Sequence, residues 1–174
     1  AGIDKELAAA LSKQGMPVVG LDSLRYFWKA RTPESTAADV DRLLRHYLDV
    51  WKKQAVVLIG FSQGADVMPF VVNRLPAVTR ERLRMVALLS LSDTAVFEFH
   101  LQNWLGATSG ALPVTPELLR MKGVRGLCVY GADETESPCA RPAAKSLQVV
   151  KLSGGHHFDG NYNRLPSLLF GLPR

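Results

Sequence analysis

The hydrophobic positions of this chain follow two different periods. Apolar residues recur at helical spacing over Ile3–Lys13 and Ser35–Trp51, and a third helix is predicted over Gln63–Arg74. Short runs that are almost wholly apolar predict strands buried on both faces. These runs are Met16–Leu21, Val56–Ile59, Met85–Leu91, Gly126–Tyr130 and Val149–Leu152. Helices that alternate with buried strands predict an α/β fold, with a mostly parallel sheet and helices on both faces.

One segment, residues 92–123, does not follow this rhythm. Val96–His100 alternates apolar and polar residues, which predicts a partly exposed strand, and several glycines and prolines follow it. Two interpretations stay open for this segment: an insertion that caps the sheet edge, or an irregular connection with its own aromatic packing. The chain contains no repeat, low-complexity tract or linker, so we expect one domain over residues 1–174.

Length and charge narrow the class of protein. A chain of 174 residues that is 47% hydrophobic can bury one core, and its formal net charge is +5. The excess of basic residues suits an anionic partner or simply a solvated surface. These residues are scattered and no nucleic-acid-binding motif accompanies them, so we do not expect nucleic acid as a partner. No run reaches the ~18 apolar residues that a membrane span needs.

The two cysteines, Cys128 and Cys139, are close in sequence. They could close one short loop as a disulfide, which would fit an oxidising compartment, or remain as two buried thiols. Sequence spacing alone does not choose between these states, because a disulfide also requires the two Cα atoms to lie within a narrow range of distances.

A serine between two glycines ends the second predicted strand. Gly60–Gly64 has the pattern G-x-S-x-G, between a predicted strand and a predicted helix. In such an elbow the serine has strained backbone angles, and we expect both flanking residues to be small because a Cβ would collide with neighbouring backbone. The Ser62 hydroxyl would then lie at the carboxyl edge of the sheet, beside the positive end of a helix. This position indicates a catalytic nucleophile.

A nucleophilic serine needs a base, and the base needs a carboxylate to orient it. The chain supplies both after later strands, in the order serine, acid, histidine that is typical of α/β-hydrolases. Asp133 and Glu134 follow the strand that ends at Tyr130. Similarity to α/β-hydrolases favours Glu134 as the acid, with Asp133 as the alternative. The loop "SGGHHF" resembles the histidine loops of esterases with His156 as the base, while His157 would support it or line the pocket.

The remaining histidines do not indicate a cofactor. His46 falls on a predicted helix and His100 in the atypical segment, so we expect structural or surface roles for both. His156, His157 and Asp159 are close in sequence, but adjacent histidines in an extended loop point apart and no metal-binding spacing accompanies them. We therefore predict no metal site, no phosphate-binding loop and no cofactor.

Four stretches, spread along the chain, carry a more specific resemblance. They are VVGLDSLRYFWKARTPE (residues 18–34), LIGFSQGADVMPFVVNRLP (58–76), VYGADETESPC (129–139) and LSGGHHFDGNY (152–162). They resemble the VirJ family of bacterial virulence proteins, whose domain also forms the C-terminal part of AcvB. The short motifs "LRYFW" and "GGHHFDG" are more specific than the serine motif, and the resemblance extends over essentially the whole chain.

This resemblance implies an α/β-hydrolase of the Gram-negative periplasm, linked to type IV secretion and virulence. It also implies hydrolysis of an aminoacylated phosphatidylglycerol, such as the lysyl lipid, whose ester carbonyl Ser62 could attack. The expected partners are anionic membrane lipid and components or substrates of type IV secretion. A second interpretation is a hydrolase fold without catalysis, which binds secreted virulence proteins as a chaperone or docking surface.

The expected reaction is acyl transfer to water. Ser62 would attack the ester and His156 would accept its proton. Glu134 or Asp133 would orient the imidazole, and the backbone N–H of Gln63 would help to hold the oxyanion.

The resemblance also implies a second oxyanion donor. In this family a strand and a loop similar to "SGDGGW" precede the helix that begins here near Gly2, and that loop would donate the second N–H. We therefore expect residues 1–174 to be a fragment that lacks this strand. Loss of one such donor typically lowers the rate by about 10²- to 10³-fold.

Overall fold

A four-stranded parallel sheet forms the centre of the protein, for which a computed structural model describes residues 2–98, 110–160 and 162–171. The strands in these residues are β1 (Val56–Phe61), β2 (Leu83–Leu89), β3 (Thr94–Ala95), β4 (Leu112–Pro113), β5 (Gly126–Gly131) and β6 (Gln148–Leu152). The sheet has the order β1-β2-β5-β6 with every pairing parallel, while β3 and β4 form a separate antiparallel pair.

Helices precede, follow and connect these strands. Their bounds are α1 (Gly2–Lys13), α2 (Ser23–Tyr26), α3 (Pro33–Val50), α4 (Gln63–Arg74), α5 (Ala77–Arg80), α6 (Thr115–Arg120) and α7 (Leu165–Phe170). Each of the three predicted helices forms, with ends within two residues of the predicted ones. Helix α3 begins before Ser35 because the Thr32 hydroxyl accepts the N–H of Ser35, and Pro33 suits the first helical turn.

Two helical layers cover the sheet, which explains why its central strands are apolar at nearly every position. Met85, Ala87 and Leu89 of β2 pack with α1 and α7, whereas Val86 and Leu88 belong to the core beneath α4 and α6. Helix α3 packs on the outside of α4. Four of the predicted strands therefore form the sheet, although β2 begins and ends two residues before its predicted bounds. No helix in the described ranges is long and apolar enough to cross a bilayer.

The strand predicted at Met16–Leu21 is wrong. These residues form no helix or strand, and Val18, Val19 and Leu21 are 38%, 46% and 49% exposed. A run of apolar residues becomes a strand only where a neighbour satisfies its backbone hydrogen bonds. Within the described residues no strand pairs with 16–21, and the outer edge of β1 is open.

The atypical segment is described only at its two ends, residues 92–98 and 110–123. Val96–Glu98 lie outside any strand, so the strand predicted there is not formed at its described positions. Phe97 instead packs against Phe27 and Phe70, with ring centroids 5.8 and 5.5 Å away. Residues 99–109, which include His100, lie outside the described residues, and the cap stays a prediction.

Candidate active site

Ser62 lies at a sharp turn between β1 and α4. Its backbone angles are φ 53° and ψ −123°, a conformation that side-chain-bearing residues rarely adopt. Gly60 permits the turn, because a Cβ there would lie 2.3 Å from the carbonyl oxygen of Gly64. The strained strand–turn–helix elbow predicted from the sequence is therefore present.

Gly64, the second glycine of the motif, has a different role from the one expected. Among the described residues, a Cβ built on Gly64 meets no atom within 4 Å outside the adjacent backbone of its own helix. The expectation that both flanking residues must be small is wrong at this position, because the close approach lies between residue 60 and the backbone of 64–65. Only the first glycine is required by packing.

The side chains of Ser62, His156 and Glu134 form a continuous hydrogen-bonded chain. His156 Nε2 lies 2.9 Å from Ser62 Oγ, and His156 Nδ1 lies 2.9 Å from Glu134 Oε1. These residues follow β1, β6 and β5, whose carboxyl ends meet at one edge of the sheet. A carboxylate at Nδ1 holds the imidazole in the tautomer that accepts a proton at Nε2. The arrangement can remove the Ser62 proton as its oxygen attacks an electrophile.

Glu134 is held by two further donors. Its Oε2 accepts the backbone N–H of Gly131 at 2.7 Å and the hydroxyl of Ser90 at 3.2 Å. Both carboxylate oxygens are therefore engaged, with Oε1 on the imidazole and Oε2 on the protein. The carboxylate has a fixed orientation before any substrate binds.

Asp133, the other candidate acid, is exposed. Its backbone N–H donates to the carbonyl of Gly154 at 3.0 Å, while the bond to His156 Nδ1 comes from Glu134. Adjacent residues of a turn point their side chains in different directions, so only one of the pair can reach the imidazole. The structure brings Glu134, and not Asp133, into the hydrogen-bonded chain.

The acid turn and the histidine loop approach each other through glycines. A Cβ on Gly131 would lie 2.2 Å from the carbonyl oxygen of Gly155. Gly154 has φ 81°, and a Cβ there would lie 2.1 Å from Oδ1 of Asp159. Phe158, which is fully buried, anchors the far side of the loop. The glycines of "SGGHHF" thus allow the close backbone contact that places His156.

His157 packs beside the hydrogen-bonded chain. Its ring centroid lies 5.3 Å from that of Phe61, and its Nδ1 lies 3.4 Å from the hydroxyl of Tyr162. The ring of His156 lies on the same phenylalanine, at 5.2 Å. Of the two histidines, His156 therefore reaches Ser62, and His157 is a packing neighbour of the site.

Gln63 is the first residue of α4, so its backbone N–H has no acceptor within the helix. Such a group, together with the positive end of the helix, can stabilise an oxyanion formed at Ser62. The Gln63 side chain donates to the carbonyl of Val96 at 3.3 Å, which fixes this turn against the segment after β3. The second donor expected from an upstream loop stays a prediction.

Two polar residues near the site were not singled out in the sequence. Ser90 directly follows β2, and Asp66 lies in the first turns of α4. Asp66 is only 9% exposed and accepts the N–H of Ser92 at 2.7 Å. Burial raises the pKa of Asp66 to about 7, against the hydrogen bonds from Ser92, and the charge of Glu134 raises it further. The predicted strand Met85–Leu91 includes Ser90, so the available signal was a polar residue within an otherwise apolar run.

Cys128 and Cys139 form a disulfide, with their Cα atoms 5.7 Å apart. Of the two states left open by the sequence, the structure shows the bonded one. The bond joins β5 to the short helical turn Pro138–Ala140 and closes the loop that contains Glu134. Both cysteines are buried.

Metal-ligating side chains are not grouped in the described part of the chain. No set of three histidine, cysteine, aspartate or glutamate residues there could hold a metal ion. His46 is exposed on α3, with its ring against Tyr47.

Known proteins were compared with the chain by sequence and by structure. A family model described as "Bacterial virulence protein (VirJ)" matches residues 1–172. No curated protein sequence matches at a significant level. Among solved structures, the chain is similar to a thioesterase domain from the curacin biosynthetic pathway, with 17% identity and a TM-score of 0.52. That match covers 86% of this chain and 75% of that chain.

A second similar structure is a naproxen esterase (carboxylesterase NP) from Bacillus subtilis, with 15% identity and a TM-score of 0.48. It covers 78% of this chain and 66% of that chain. At these identities the structural likeness concerns the fold. With the parallel sheet and its surrounding helices, the likeness to the thioesterase domain shows that the fold is that of the α/β-hydrolases.

Proposed function

Because the chain belongs to the bacterial virulence protein (VirJ) family, we propose that it is a serine hydrolase that cleaves a carboxylic ester. The observation that carries this proposal is the hydrogen-bonded chain from Ser62 through His156 to Glu134, with 2.9 Å on each side of the imidazole. A serine hydroxyl is a poor nucleophile at neutral pH, and this arrangement supplies the base that activates it.

The proposed reaction has two halves. Ser62 Oγ attacks the ester carbonyl carbon while His156 Nε2 accepts the hydroxyl proton, and the Gln63 N–H stabilises the oxyanion. The intermediate expels the alcohol, which takes the proton from Nε2 and leaves an acyl group on Ser62. Water then attacks the acyl group while His156 Nε2 accepts its proton, and Ser62 Oγ takes that proton back as the carboxylic acid departs. Glu134 stabilises the imidazolium that forms in each half.

The proposed substrate is an aminoacylated phosphatidylglycerol, such as the lysyl lipid, in the periplasm. Family membership supports this choice, as does the net charge of +5, which favours an anionic membrane surface. The disulfide supports the compartment, because disulfides persist in oxidising environments. The products would be the free amino acid and phosphatidylglycerol. The link to type IV secretion belongs to the same proposal.

Two assays test the proposal on the whole protein. A fluorophosphonate probe, which reacts with activated serines, should add one adduct to the peptide that contains Ser62. Vesicles of phosphatidylglycerol that contain lysyl-phosphatidylglycerol should release lysine in the presence of the wild type, and Ser62→Ala should abolish both signals. The enzyme proposal is wrong if the wild type is inert in both assays, or if Ser62→Ala releases lysine at the wild-type rate.

The two adjacent acids offer a matched pair of variants. Glu134→Gln keeps the shape of the side chain but removes the charge that orients His156, so kcat should fall by about 10²- to 10⁴-fold. Asp133→Asn changes an exposed neighbour and should leave kcat within about twofold of the wild type. If kcat instead falls in Asp133→Asn and stays unchanged in Glu134→Gln, the acid that orients His156 is Asp133.

A second candidate function is protein docking without catalysis. It is favoured by a run of exposed apolar side chains before α3, in which Leu24 and Trp28 are 52% and 62% exposed. Exposed groups of this kind often mark interaction surfaces. This candidate predicts that Ser62→Ala still binds secreted virulence proteins as the wild type does, whereas the double variant Leu24→Ser with Trp28→Ser does not.

A further inference from the structure

Ser90 lies at the same edge of the sheet as the proposed catalytic residues, and the reaction described above does not use it. Its side chain is 0% exposed, and its backbone has φ 52°. That left-handed conformation is unfavourable for any residue except glycine. A serine at a position where glycine would be less strained indicates that the hydroxyl itself is used.

The hydroxyl of Ser90 faces two acceptors. It lies 3.2 Å from Glu134 Oε2 and 2.9 Å from the backbone carbonyl oxygen of His156. A serine hydroxyl carries one hydrogen, so the two acceptors share a single donor. The backbone N–H of Ser90 also donates to Val129 of β5 at 2.8 Å. Ser90 thus connects the ends of three strands, β2, β5 and β6.

We propose that Ser90 is a positioning residue, whose hydroxyl holds the carboxylate of Glu134 and the backbone of His156 in the geometry that aligns Oε1 with Nδ1. This inference rests on the proposed hydrolase function. The role of Ser90 goes beyond that function, because Ser90 is completely buried and cannot touch substrate.

Removal of the hydroxyl would act on both partners. Glu134 Oε2 would keep the Gly131 N–H, and the carbonyl of His156 would lose the Ser90 hydroxyl as a donor in a part-buried place. The bond between imidazole and carboxylate would then be held less firmly, while the surface that binds substrate would be unchanged. Such a change should reduce kcat and leave KM almost unaltered.

Three variants of the whole protein separate positioning from folding. Ser90→Gly removes the hydroxyl and relieves the backbone strain, so it should fold at least as well as Ser90→Ala. Ser153→Ala removes an exposed hydroxyl at the start of the histidine loop and serves as the matched control. We expect kcat for lysyl-phosphatidylglycerol to fall by about 10- to 100-fold in both Ser90 variants, with KM within about twofold. Ser153→Ala should match the wild type.

A second measurement does not depend on activity. The proton on His156 Nδ1, shifted to low field in the NMR spectrum by its carboxylate partner, should exchange with water faster in Ser90→Gly than in the wild type or Ser153→Ala. Wild-type kcat and unchanged exchange in a folded Ser90→Gly variant would overturn the positioning role. If the wild type releases no lysine and takes no fluorophosphonate, the hydrolase proposal fails, and the exchange rate alone decides the role of Ser90.

Discussion

Asp66 and Glu134 are neighbouring carboxylates whose environments differ. Glu134 has Gly131, Ser90 and His156 around its two oxygens. Asp66 is more deeply buried and accepts hydrogen bonds from Ser92. These bonds stabilise its charged form by less than burial destabilises it, so the pKa of Asp66 is raised. The Asp66 carboxyl, with its pKa of about 7, therefore changes its charge near neutral pH.

We expect Asp66 to lower the stability of the protein as the pH rises. Its folded pKa of about 7 lies above the ordinary value of 3.8. Its stabilising contribution is therefore fully present below about pH 4 and is lost as the pH rises through about 7. One pKa unit corresponds to about 1.4 kcal/mol, so the effect is at most on the order of 4 kcal/mol. Asp66→Asn stays neutral, and its advantage over the wild type should grow across this range.

Urea unfolding at a series of pH values measures this difference. Asp133→Asn, at an exposed carboxylate on the same edge, should show a nearly constant difference from the wild type. A constant difference for Asp66→Asn as well would show that the folded pKa of Asp66 is not raised.

The two glycines of the serine motif predict opposite results for one substitution. Gly60→Ala places a methyl group 2.3 Å from backbone and should reduce the free energy of unfolding by about 3 kcal/mol or more. Gly64→Ala adds a methyl group within a helix, where the part of the chain that the structure describes makes no such contact, and should raise the free energy of unfolding by up to about 1 kcal/mol. Thermal unfolding compares the two. Equal losses would contradict the geometry of the elbow.

At the scale of elements, the sequence was most informative where one local cause decides the outcome. Helix α3 has both an apolar stripe and the Thr32 cap, and β1 is apolar along its length, with Gly60 just before its last residue. Met16–Leu21 shares the composition of a strand, but pairing depends on distant residues that local sequence does not contain. Ser62 and the loops at the strand ends were predictable because local motifs and buried strands mark them in the sequence. The contact of Ser90 with Glu134 was not predictable, because no motif marks Ser90 and it fell inside the predicted strand Met85–Leu91.

The disulfide ties the loop that contains Glu134 to β5. It closes a short loop, with a sequence separation of 11, and such a bond stabilises a protein by roughly 2 to 3 kcal/mol. We expect the double variant Cys128→Ala with Cys139→Ala to lose about this much in guanidinium unfolding. Its kcat should also fall, because Glu134 lies within the closed loop.

Reductant provides the control for this prediction. Wild-type protein in excess dithiothreitol should unfold at lower guanidinium concentration, and the double variant should not respond. Complete labelling of both thiols in denaturant would show that the bond is reduced. If the reduced wild type then unfolds at the same guanidinium concentration as the oxidised wild type, the bond does not stabilise the protein.

At the scale of the whole molecule, the parallel sheet explains why distant residues meet. Its four strands run in one direction, so the loops after β1, β2, β5 and β6 all emerge at one edge. Ser62, Ser90, Glu134 and His156 each come from a different one of these loops. The site is thus a property of the topology. A substitution at Gly60 or the loss of the disulfide should therefore shift these loops and lower kcat by misaligning the side chains that they hold.

The net charge of +5 gives a prediction that concerns the whole molecule. If the substrate is a membrane lipid, the protein should bind vesicles rich in phosphatidylglycerol more strongly than vesicles of phosphatidylcholine. Basic residues near an anionic surface contribute about 1 kcal/mol each, and salt screens them over about 10 Å at 0.1 M. Binding measured by co-sedimentation should therefore fall steeply with added salt. Equal binding to both vesicles would show that charge does not direct the protein to its substrate, whereas displacement by duplex DNA would indicate a nonspecific basic surface.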